Sequence, residues 1–198
     1  MFLENPAYND EQFGWIEVIC GSMFSGKTEL LIKKYNMCNL PSTATCIAIN
    51  YYKDTRYGEN IIASHNNNSI PSINIELLSE IFNNPNISKI TDIFINEAQF
   101  FPDLKECVIK LIEQYNKHVV ICGLDSDYKR EKFGQMWDLI PHADYIVKLN
   151  GTCNNCNKAS LFTHRISNEK EQEVVGNNNY IPLCRKCYYN LNNLTLSS

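Results

Sequence analysis

The eight residues from Gly21 to Thr28 (Gly-Ser-Met-Phe-Ser-Gly-Lys-Thr) constrain the fold more than any other segment. Two glycines separated by four residues and followed by Lys and Thr are typical of a loop that wraps phosphate groups. An apolar, strand-like run precedes the loop, and apolar residues at helical spacing follow it. The glycines allow backbone N–H groups to approach phosphates, and the helix N-terminus adds partial positive charge. The pattern therefore predicts a nucleoside triphosphate site.

Two side chains of this loop have specific expected roles. Lys27 is expected to reach the β- and γ-phosphates, and the hydroxyl of Thr28 to help hold Mg²⁺. The candidate nucleotide contacts in this segment are Gly21, Ser22, Met23, Phe24, Ser25, Gly26, Lys27 and Thr28.

The length and net charge of the chain limit the number of domains and the kinds of partner that we expect. A chain of 198 residues suits one α/β domain with a small appendage. The net charge of −4 and the pI near 5.6 argue against a broad nucleic-acid-binding face. Because the sequence shows neither a long apolar run nor a basic and apolar leader, we expect a soluble, cytoplasmic protein without a membrane partner.

Strand-like and helix-like segments alternate along most of the chain. Strands are predicted at 15–20, 45–49, 90–95, 119–122 and 145–147, and a helix at 104–115. Such alternation predicts an α/β fold, a P-loop NTPase core with a mostly parallel sheet covered on both faces. The polar stretch 51–69 is predicted to be a long loop. The predicted organisation is a flexible arm (1–13), a nucleotide-binding domain (14–150), a second, small domain (151–190) and a tail (191–198).

The predicted strand at 90–95 runs into polar residues, as in the second element of many nucleotide sites. An Asp usually ends such a strand and holds Mg²⁺, and a carboxylate follows it. Here Asn96 takes the first place and Glu97 the second. We expect Glu97 to be the general base, and we include Asn96 and Gln99 among the nucleotide-binding candidates. The aromatic rings that follow have two interpretations, core packing or part of a base pocket.

The nine cysteines fall into two groups. Cys153-x-x-Cys156 and Cys184-x-x-Cys187 have the form of a four-thiolate zinc site, and four thiolates leave no open coordination position, so a structural zinc is predicted. The alternatives are four free thiols or a disulfide pair. The other five are predicted to be small buried hydrophobic residues: Cys20, Cys38, Cys46, Cys107 and Cys122.

The ordered combination of these motifs resembles the zinc-containing type II thymidine kinases, from Gly14 to about Tyr188. The segments that carry the resemblance are 21–28, 53–57, 97–103, 123–125, 133–134 and both cysteine pairs. The resemblance implies transfer of the γ-phosphate of ATP to the 5′-hydroxyl of thymidine, in nucleotide salvage for DNA synthesis. It also implies a homotetramer, feedback inhibition by thymidine triphosphate, and a loop between the cysteine pairs that closes over the base.

The resemblance also assigns roles to single residues. It implies that Glu97 accepts the 5′-hydroxyl proton, that Arg56 lies near the phosphates, and that Asp54 contacts nucleotide or Mg²⁺. The residues implied to surround thymine through side chains are Met23, Phe100, Leu124, Tyr128, Phe133, Thr163 and Tyr180. Val174, Val175 and Gly176 are implied to contact the base through the backbone.

The chain departs from the family pattern at a few of these positions. Asn96 replaces the usual Asp, and Tyr128 replaces the usual Phe while keeping a ring face for stacking. His65 matches a family histidine, for which we predict a structural role. Deoxyuridine is an alternative acceptor, because one methyl group in an apolar pocket discriminates by only about 1–3 kcal/mol.

Two other functions remain open on the sequence alone. The first is a nucleic-acid-binding protein, in which the zinc ribbon contacts DNA or RNA beside an ATPase core. The residues after Cys156 mix basic and acidic side chains and form no basic stripe, which disfavours this interpretation. The second is a nucleotide sensor that binds but does not turn over, with Asn96 as the disabling residue.

Overall fold

A computed structural model describes residues 13–40, 44–55, 58–172 and 179–192. The helices are α1 (Lys27–Cys38), α2 (Leu104–Glu113) and α3 (Arg185–Leu191), with 3₁₀ helices at Leu78–Asn83, Ala98–Phe100 and Met136–His142. The strands are β1 (Trp15–Gly21), β2 (Cys46–Tyr51), β3 (Ile61–Ala63), β4 (Ser69–Pro71), β5 (Ile73–Ile75), β6 (Asp92–Ile95), β7 (His118–Leu124), β8 (Tyr145–Leu149), β9 (Gly151–Thr152), β10 (Ala159–Ser160), β11 (Phe162–Arg165) and β12 (Tyr180–Leu183).

A six-stranded sheet in the order β5-β2-β6-β7-β1-β8 forms the centre of the fold. Every neighbouring pair in it is parallel, so all six strands end at the same edge. The predicted α/β architecture with a parallel sheet is confirmed. All five predicted strands are present, and β5 was missed because three residues give no usable alternation.

The sheet is covered on both faces, as its apolar alternation requires. Ile93 and Ile95 of β6 pack in the cluster that contains α2, whereas Phe94 packs in the cluster that contains α1. Side chains alternate between faces along a strand, so consecutive apolar residues need an apolar layer on each side. The predicted helix stripe is confirmed, because α2 buries five side chains on one face, namely Leu104, Cys107, Val108, Leu111 and Ile112.

The stretch 51–69 is not the featureless loop that its polar composition predicts. It contains β3 and the start of β4, which pair antiparallel and bury Ile62 and Ile70 against the α1 side of the sheet. Each of these strands presents one buried isoleucine between two more exposed residues. Such short strands are specified by contacts with α1, not by a pattern along the chain.

Beyond Gly151 the chain forms a small module of short antiparallel pairs and α3. Strand β9 pairs with β10, and β11 pairs with β12. Its interior is a separate small cluster built on Cys153, Leu183, Cys184 and Tyr188. We call residues 151–172 and 179–192 the C-terminal module. Within the described parts of the chain, no helix combines the length and apolar character needed to cross a membrane.

Candidate active site

A cavity of about 370 Å³ lies at the edge where the parallel strands end. This edge is the usual ligand site of open α/β sheets. The loop between β1 and α1 forms one end of the cavity, and the C-terminal module contributes to the other. The predicted site residues that line it are Met23, Phe24, Ser25, Gly26, Lys27, Thr28, Asp54, Asn96, Glu97, Phe100, Leu124, Tyr128, Phe133, Thr163 and Tyr180.

The loop between β1 and α1 has the geometry that its glycines predict. Gly26 has a φ of 86°, the left-handed conformation that glycine adopts at no steric cost, immediately before α1 begins. Lys27 Nζ donates a 2.8 Å hydrogen bond to the carbonyl oxygen of Ser22, so the ammonium bridges the loop. Burial lowers the pKa of Lys27, while the nearby Glu97 carboxylate acts in the opposite direction. An anionic ligand here would favour the charged form of Lys27.

Two predicted nucleotide contacts of this loop do not line the cavity. Gly21 lies against β8, where an added Cβ would overlap the carbonyl oxygen of Leu149. Ser22 is 1% exposed, and its hydroxyl has no hydrogen-bond partner among the described residues. Gly21 and Ser22 therefore support the start of the loop without lining the cavity.

Glu97 is held toward the cavity by Gln99. Glu97 itself has a φ of 50° and begins the short 3₁₀ helix Ala98–Phe100. Gln99 Nε2 donates to Glu97 Oε2 at 2.8 Å, and Gln99 Oε1 accepts from the backbone N–H of Leu124 at 2.9 Å. Gln99 was predicted as a nucleotide contact, but it is 3% exposed and does not line the cavity. Its observed contacts are those of a residue that orients the carboxylate.

Asn96 belongs to a chain of polar side chains that crosses the strand ends. Thr28 Oγ1 lies 3.5 Å from Asn96 Oδ1, which also accepts from Cys122 Sγ at 3.1 Å. Asn96 Nδ2 donates to Asn50 Oδ1 at 2.9 Å. Asn50 Nδ2 donates in turn to the backbone oxygen of Asp54 at 3.1 Å. Asn50 was not among the predicted site residues, although its place directly after a predicted strand was the available signal.

Aromatic rings form the wall of the cavity beside Glu97. Phe100 stacks on Tyr51 with ring centroids 5.2 Å apart and an angle of 25° between the planes. Phe133 meets Phe100 edge to face at 5.4 Å. Such pairs hold rings in place beyond their burial alone, by about 0.5–1.5 kcal/mol. The structure therefore favours the pocket interpretation of Phe100, and Tyr51 is an additional wall residue.

The C-terminal module supplies the remaining wall. Thr163 and Tyr180 line the cavity from β11 and β12, and Gln172 lines it from the segment between them. Tyr128 lies beside them, and its backbone oxygen accepts a 2.7 Å hydrogen bond from the Tyr188 hydroxyl. Arg165, which the sequence analysis did not single out, contacts several of these groups.

The four predicted metal ligands converge within the C-terminal module. The Sγ atoms of Cys153, Cys156, Cys184 and Cys187 all lie within 4.8 Å of one another. Burial opposes ionisation of Cys153, but backbone N–H groups of Cys184, Asn155 and Cys156 outweigh it and lower the pKa of this thiol. A four-sulfur cluster with a stabilised thiolate fits a tetrahedral zinc ion.

A second cysteine cluster lies at the opposite edge of the sheet. Cys38, Cys46 and Asp92 place their ligand atoms within 4.8 Å of one another. The prediction that all five scattered cysteines are buried holds for Cys20, Cys107 and Cys122, whereas Cys38 and Cys46 are partly exposed. Burial, together with hydrogen bonds to Cys46 and Asp92, raises the pKa of the Cys38 thiol. The contacts among these three side chains therefore favour a neutral Cys38 thiol.

Four predicted site residues lie outside the described residues: Arg56, Val174, Val175 and Gly176. His65, predicted to be structural, lies in the cavity wall, with its ring 5.5 Å from that of Phe24. It comes from the β3–β4 hairpin, together with Ala63, Ser64 and Asn66. The hairpin thus covers the end of the cavity that the loop between β1 and α1 forms.

Comparison with known proteins gives a consistent result. The family model described as "Thymidine kinase" matches residues 14–188. The chain is 40% identical over 184 residues to the thymidine kinase of Yaba monkey tumor virus (strain VR587), covering 91% of this chain and 97% of that protein. It is 36% identical over 192 residues to the thymidine kinase of Bacteroides thetaiotaomicron, covering 95% and 94%.

The cytosolic thymidine kinase of Gallus gallus is 34% identical over 177 residues, covering 89% of this chain and 77% of that protein. The similarity thus extends across viral, bacterial and animal proteins and covers both the strand-end cavity and the C-terminal module. Since the matched region runs through every element that builds the site, this chain belongs to the thymidine kinase family.

Proposed function

We propose that this chain transfers the γ-phosphate of ATP to the 5′-hydroxyl of thymidine, giving thymidine monophosphate. The observation that carries the proposal is one cavity that joins a phosphate loop, a held carboxylate and an aromatic wall. In-line phosphoryl transfer asks little covalent chemistry of the protein, so positioning and charge neutralisation account for most of the catalysis.

The geometry supports a division of roles among the site residues. The loop 21–28 and Lys27 hold the ATP phosphates, and Glu97 accepts the proton of the 5′-hydroxyl. Gln99 keeps the Glu97 carboxylate in one orientation through the 2.8 Å hydrogen bond. Arg56 adds positive charge near the transferred group, a role that rests on the family resemblance. The thymine base lies against Phe100 and Tyr128, and the family resemblance assigns its backbone contacts to Val174, Val175 and Gly176.

The chain offers groups suited to Mg²⁺ and to zinc. Thr28 Oγ1, Asn96 Oδ1 and the Asp54 carboxylate are hard oxygen ligands near the phosphate loop, and bound Mg²⁺ would offset phosphate charge there. Cys153, Cys156, Cys184 and Cys187 would hold structural zinc. We propose residues 14–150 as the nucleotide-binding domain and 151–190 as the zinc-binding lasso domain.

The proposal includes feedback inhibition by thymidine triphosphate, assembly into a homotetramer and a cytoplasmic location. Thymidine triphosphate carries both a thymine and a triphosphate, so a cavity with a base wall and a phosphate loop suits it as a feedback inhibitor. A homotetramer rests on the resemblance alone and is tested by light scattering. Cytoplasmic localisation agrees with the relatives from Gallus gallus and Bos taurus, whose names include "cytosolic".

A coupled kinase assay tests the reaction. Purified protein with Mg-ATP is given each of the four common deoxynucleosides, and deoxyuridine in a separate arm. We expect thymidine-dependent ADP release, and loss of kcat by about 10²-fold or more in Glu97→Gln with ATP affinity retained. Glu113→Gln, the same change at an exposed position on α2, is the matched control and should behave as wild type.

The assay also separates the alternatives. ATP binding without turnover on any nucleoside would favour the nucleotide sensor. Salt-sensitive retention of a labelled oligonucleotide, again without turnover, would favour nucleic-acid binding. Turnover that is unchanged in Glu97→Gln would remove Glu97 from its role as base while leaving the kinase proposal standing.

A further inference from the structure

Arg165 is a buried charged side chain that makes several contacts beside the end of the cavity assigned to the base. It lies at the end of β11, opposite Tyr180 of β12, and is 5% exposed. Burying a guanidinium costs free energy unless its donors are satisfied. Its burial was not predicted, because a single Arg in a polar segment is ordinarily a surface residue.

The Nη1 and Nη2 donors of Arg165 are directed to residues 169–172, which lead into the cavity wall, whereas its Nε has no hydrogen-bond partner among the described residues. The guanidinium donates to the carbonyl oxygens of Glu169 at 3.0 Å, of Glu171, and of Gln172 at 3.0 Å. Gln172 lines the cavity and also donates to Asp127 Oδ2 at 3.0 Å. One side chain therefore holds three carbonyl groups within residues 169–172.

The same guanidinium contacts two aromatic residues of the cavity. Its central carbon lies 3.8 Å from the ring centroid of Tyr128, a close cation–π contact. Arg165 Nη2 also donates to the Tyr180 hydroxyl at 2.5 Å. Tyr128 and Tyr180 come from parts of the chain 52 residues apart, and both line the cavity. Arg165 is the group that joins them.

We propose that Arg165 is a positioning residue that sets the nucleoside affinity of the cavity by fixing Tyr128, Tyr180 and the backbone before Gln172. The inference rests on the proposed function, since it assigns the base end of the cavity to the nucleoside. Arg165 does not line the cavity and touches no reacting atom. Its loss therefore affects nucleoside binding and leaves the phosphate loop unchanged.

Arg165→Lys is the test, because a lysine keeps the charge but lacks the planar fork of five N–H donors. We expect the KM for thymidine to rise about 10- to 100-fold, as when one or two charge-assisted hydrogen bonds are lost. The KM for ATP, kcat at saturating thymidine and the bound zinc should stay close to wild type. This selective effect on thymidine is a readout that a merely structural role would not give.

Arg130→Lys is the matched control in the same region. Arg130 is exposed, donates to the Tyr189 hydroxyl at 3.3 Å and lies over the Tyr188 ring, but it does not line the main cavity. Its variant should keep the wild-type KM for thymidine. Tyr180→Phe removes only the hydroxyl that Arg165 contacts and should raise the same KM about three- to tenfold. The double variant Arg165→Lys/Tyr180→Phe should show less than the sum of both effects.

Three outcomes would overturn the inference. An Arg165→Lys variant with unchanged KM for thymidine removes the positioning role. Loss of zinc or equal weakening of thymidine and ATP assigns Arg165 to folding of the module instead. If Arg165→Lys does not fold, an unchanged KM in Tyr180→Phe overturns the inference by itself. Failure of wild type and Arg130→Lys to phosphorylate thymidine is different, since it overturns the proposed function and this inference with it.

Discussion

The backbone N–H of Met23 donates a 3.0 Å hydrogen bond to Oγ1 of Thr163, joining the phosphate loop to β11 across 140 residues of sequence. Thr163 is 3% exposed, so this hydroxyl has little access to water. The bond ties the end of the cavity assigned to phosphate to the module assigned to the base. It makes the spacing between the two ends a property of the folded chain before any substrate binds.

Thr163→Val should weaken this connection without changing the side-chain volume. The Met23 N–H would lose its acceptor, which costs about 1–3 kcal/mol, so we expect kcat/KM for thymidine to fall about tenfold or more. Thr163→Ser keeps the hydroxyl and should recover most of the activity. Steady-state kinetics with thymidine at saturating ATP checks this, and equal values for Thr163→Val and wild type would contradict it.

Gly123→Ala should disturb the orientation of the Glu97 carboxylate by displacing Gln99. A Cβ at this position would lie 2.5 Å from Gln99 Oε1 and 3.1 Å from Met136 Sδ, so the Gln99 amide would have to move. Because Gln99 orients the Glu97 carboxylate, we expect kcat to fall up to about 100-fold with ATP affinity retained. Gln99→Ala should give a similar loss, and the double variant no more than either alone. Additive losses would show that the two residues act separately.

The parts of the site that could be predicted from the sequence are those built from residues close together along the chain. The loop 21–28, Glu97 at a strand end and the two cysteine pairs each carry their geometry in a few adjacent residues. Asn50 is different, because it meets Asn96 only through the register that pairs Ile49 with Ile95. Such a contact depends on which strands are neighbours, and one sequence does not specify that.

Arg165 and Gln99 show the same limit for side-chain roles. Gln99 was predicted to be a nucleotide-binding residue, but it lies on the 3₁₀ helix Ala98–Phe100, does not line the cavity, and accepts a hydrogen bond from the backbone N–H of Leu124. Arg165 meets Tyr128 only after β11 and β12 have paired and the module has packed on the core. The role of Gln99 depends on the direction of its side chain, and the role of Arg165 depends on long-range packing. Residue type alone predicts neither role.

Cys153→Ser should remove the metal and loosen the module. A single hydroxyl in place of a thiolate weakens a four-sulfur site, and Thr163 and Tyr180 lie on strands packed beside it. We expect bound zinc to fall from about one equivalent per chain toward none, with a lower Tm and a raised KM for thymidine. Elemental analysis and thermal unfolding check this. Cys107→Ser is the control, since its hydroxyl can keep the bond to Asp103. Full zinc content in Cys153→Ser would contradict the four-thiolate site.

Asp103 should make stability depend on pH in the acid range. Its carboxylate accepts from the backbone N–H groups of Leu78 and Ser79, each at 2.9 Å. Burial alone would raise the pKa of Asp103, but these N–H donations outweigh it and lower the pKa below 3.8. A carboxyl group with a lowered folded-state pKa stabilises the fold above its unfolded pKa, and this stability is lost as the pH falls through the folded pKa.

Asp103→Asn tests that sign. The amide presents an NH₂ group to one of the two N–H donors, so we expect a loss of about 1–3 kcal/mol in the free energy of unfolding at neutral pH. The difference from wild type should shrink as the pH falls below about 4, because the carboxyl group is protonated first in the unfolded chain and then, at its lower folded-state pKa, in the folded protein. Urea unfolding at a series of pH values measures it. A difference that does not change with pH would show that the charge of Asp103 has no part in holding Leu78 and Ser79.

Asn96→Asp separates Mg²⁺ affinity from stability at one position. A carboxylate is a better Mg²⁺ ligand than an amide, so the Mg²⁺ concentration for half-maximal rate should fall. However, Asn96 Nδ2 donates to Asn50 Oδ1 at 2.9 Å, and Asp has no donor to replace it. Asn50 cannot simply rotate its amide, because its Nδ2 already donates to Asp54.

Two oxygen atoms would therefore face each other at a position that is 2% exposed, which should lower the free energy of unfolding by about 1–3 kcal/mol. Asn83→Asp adds the same charge at an exposed position and is the control for both measurements. An Asn96→Asp variant that is as stable as wild type would show that the Asn50–Asn96 bond is dispensable. An unchanged Mg²⁺ requirement would show that residue 96 does not reach the ion. We expect Asn96→Asp to lower both the Mg²⁺ requirement and the free energy of unfolding. That result would mean that the amide of Asn96 is needed to hydrogen-bond Asn50, although an amide is a weaker ligand for Mg²⁺ than a carboxylate.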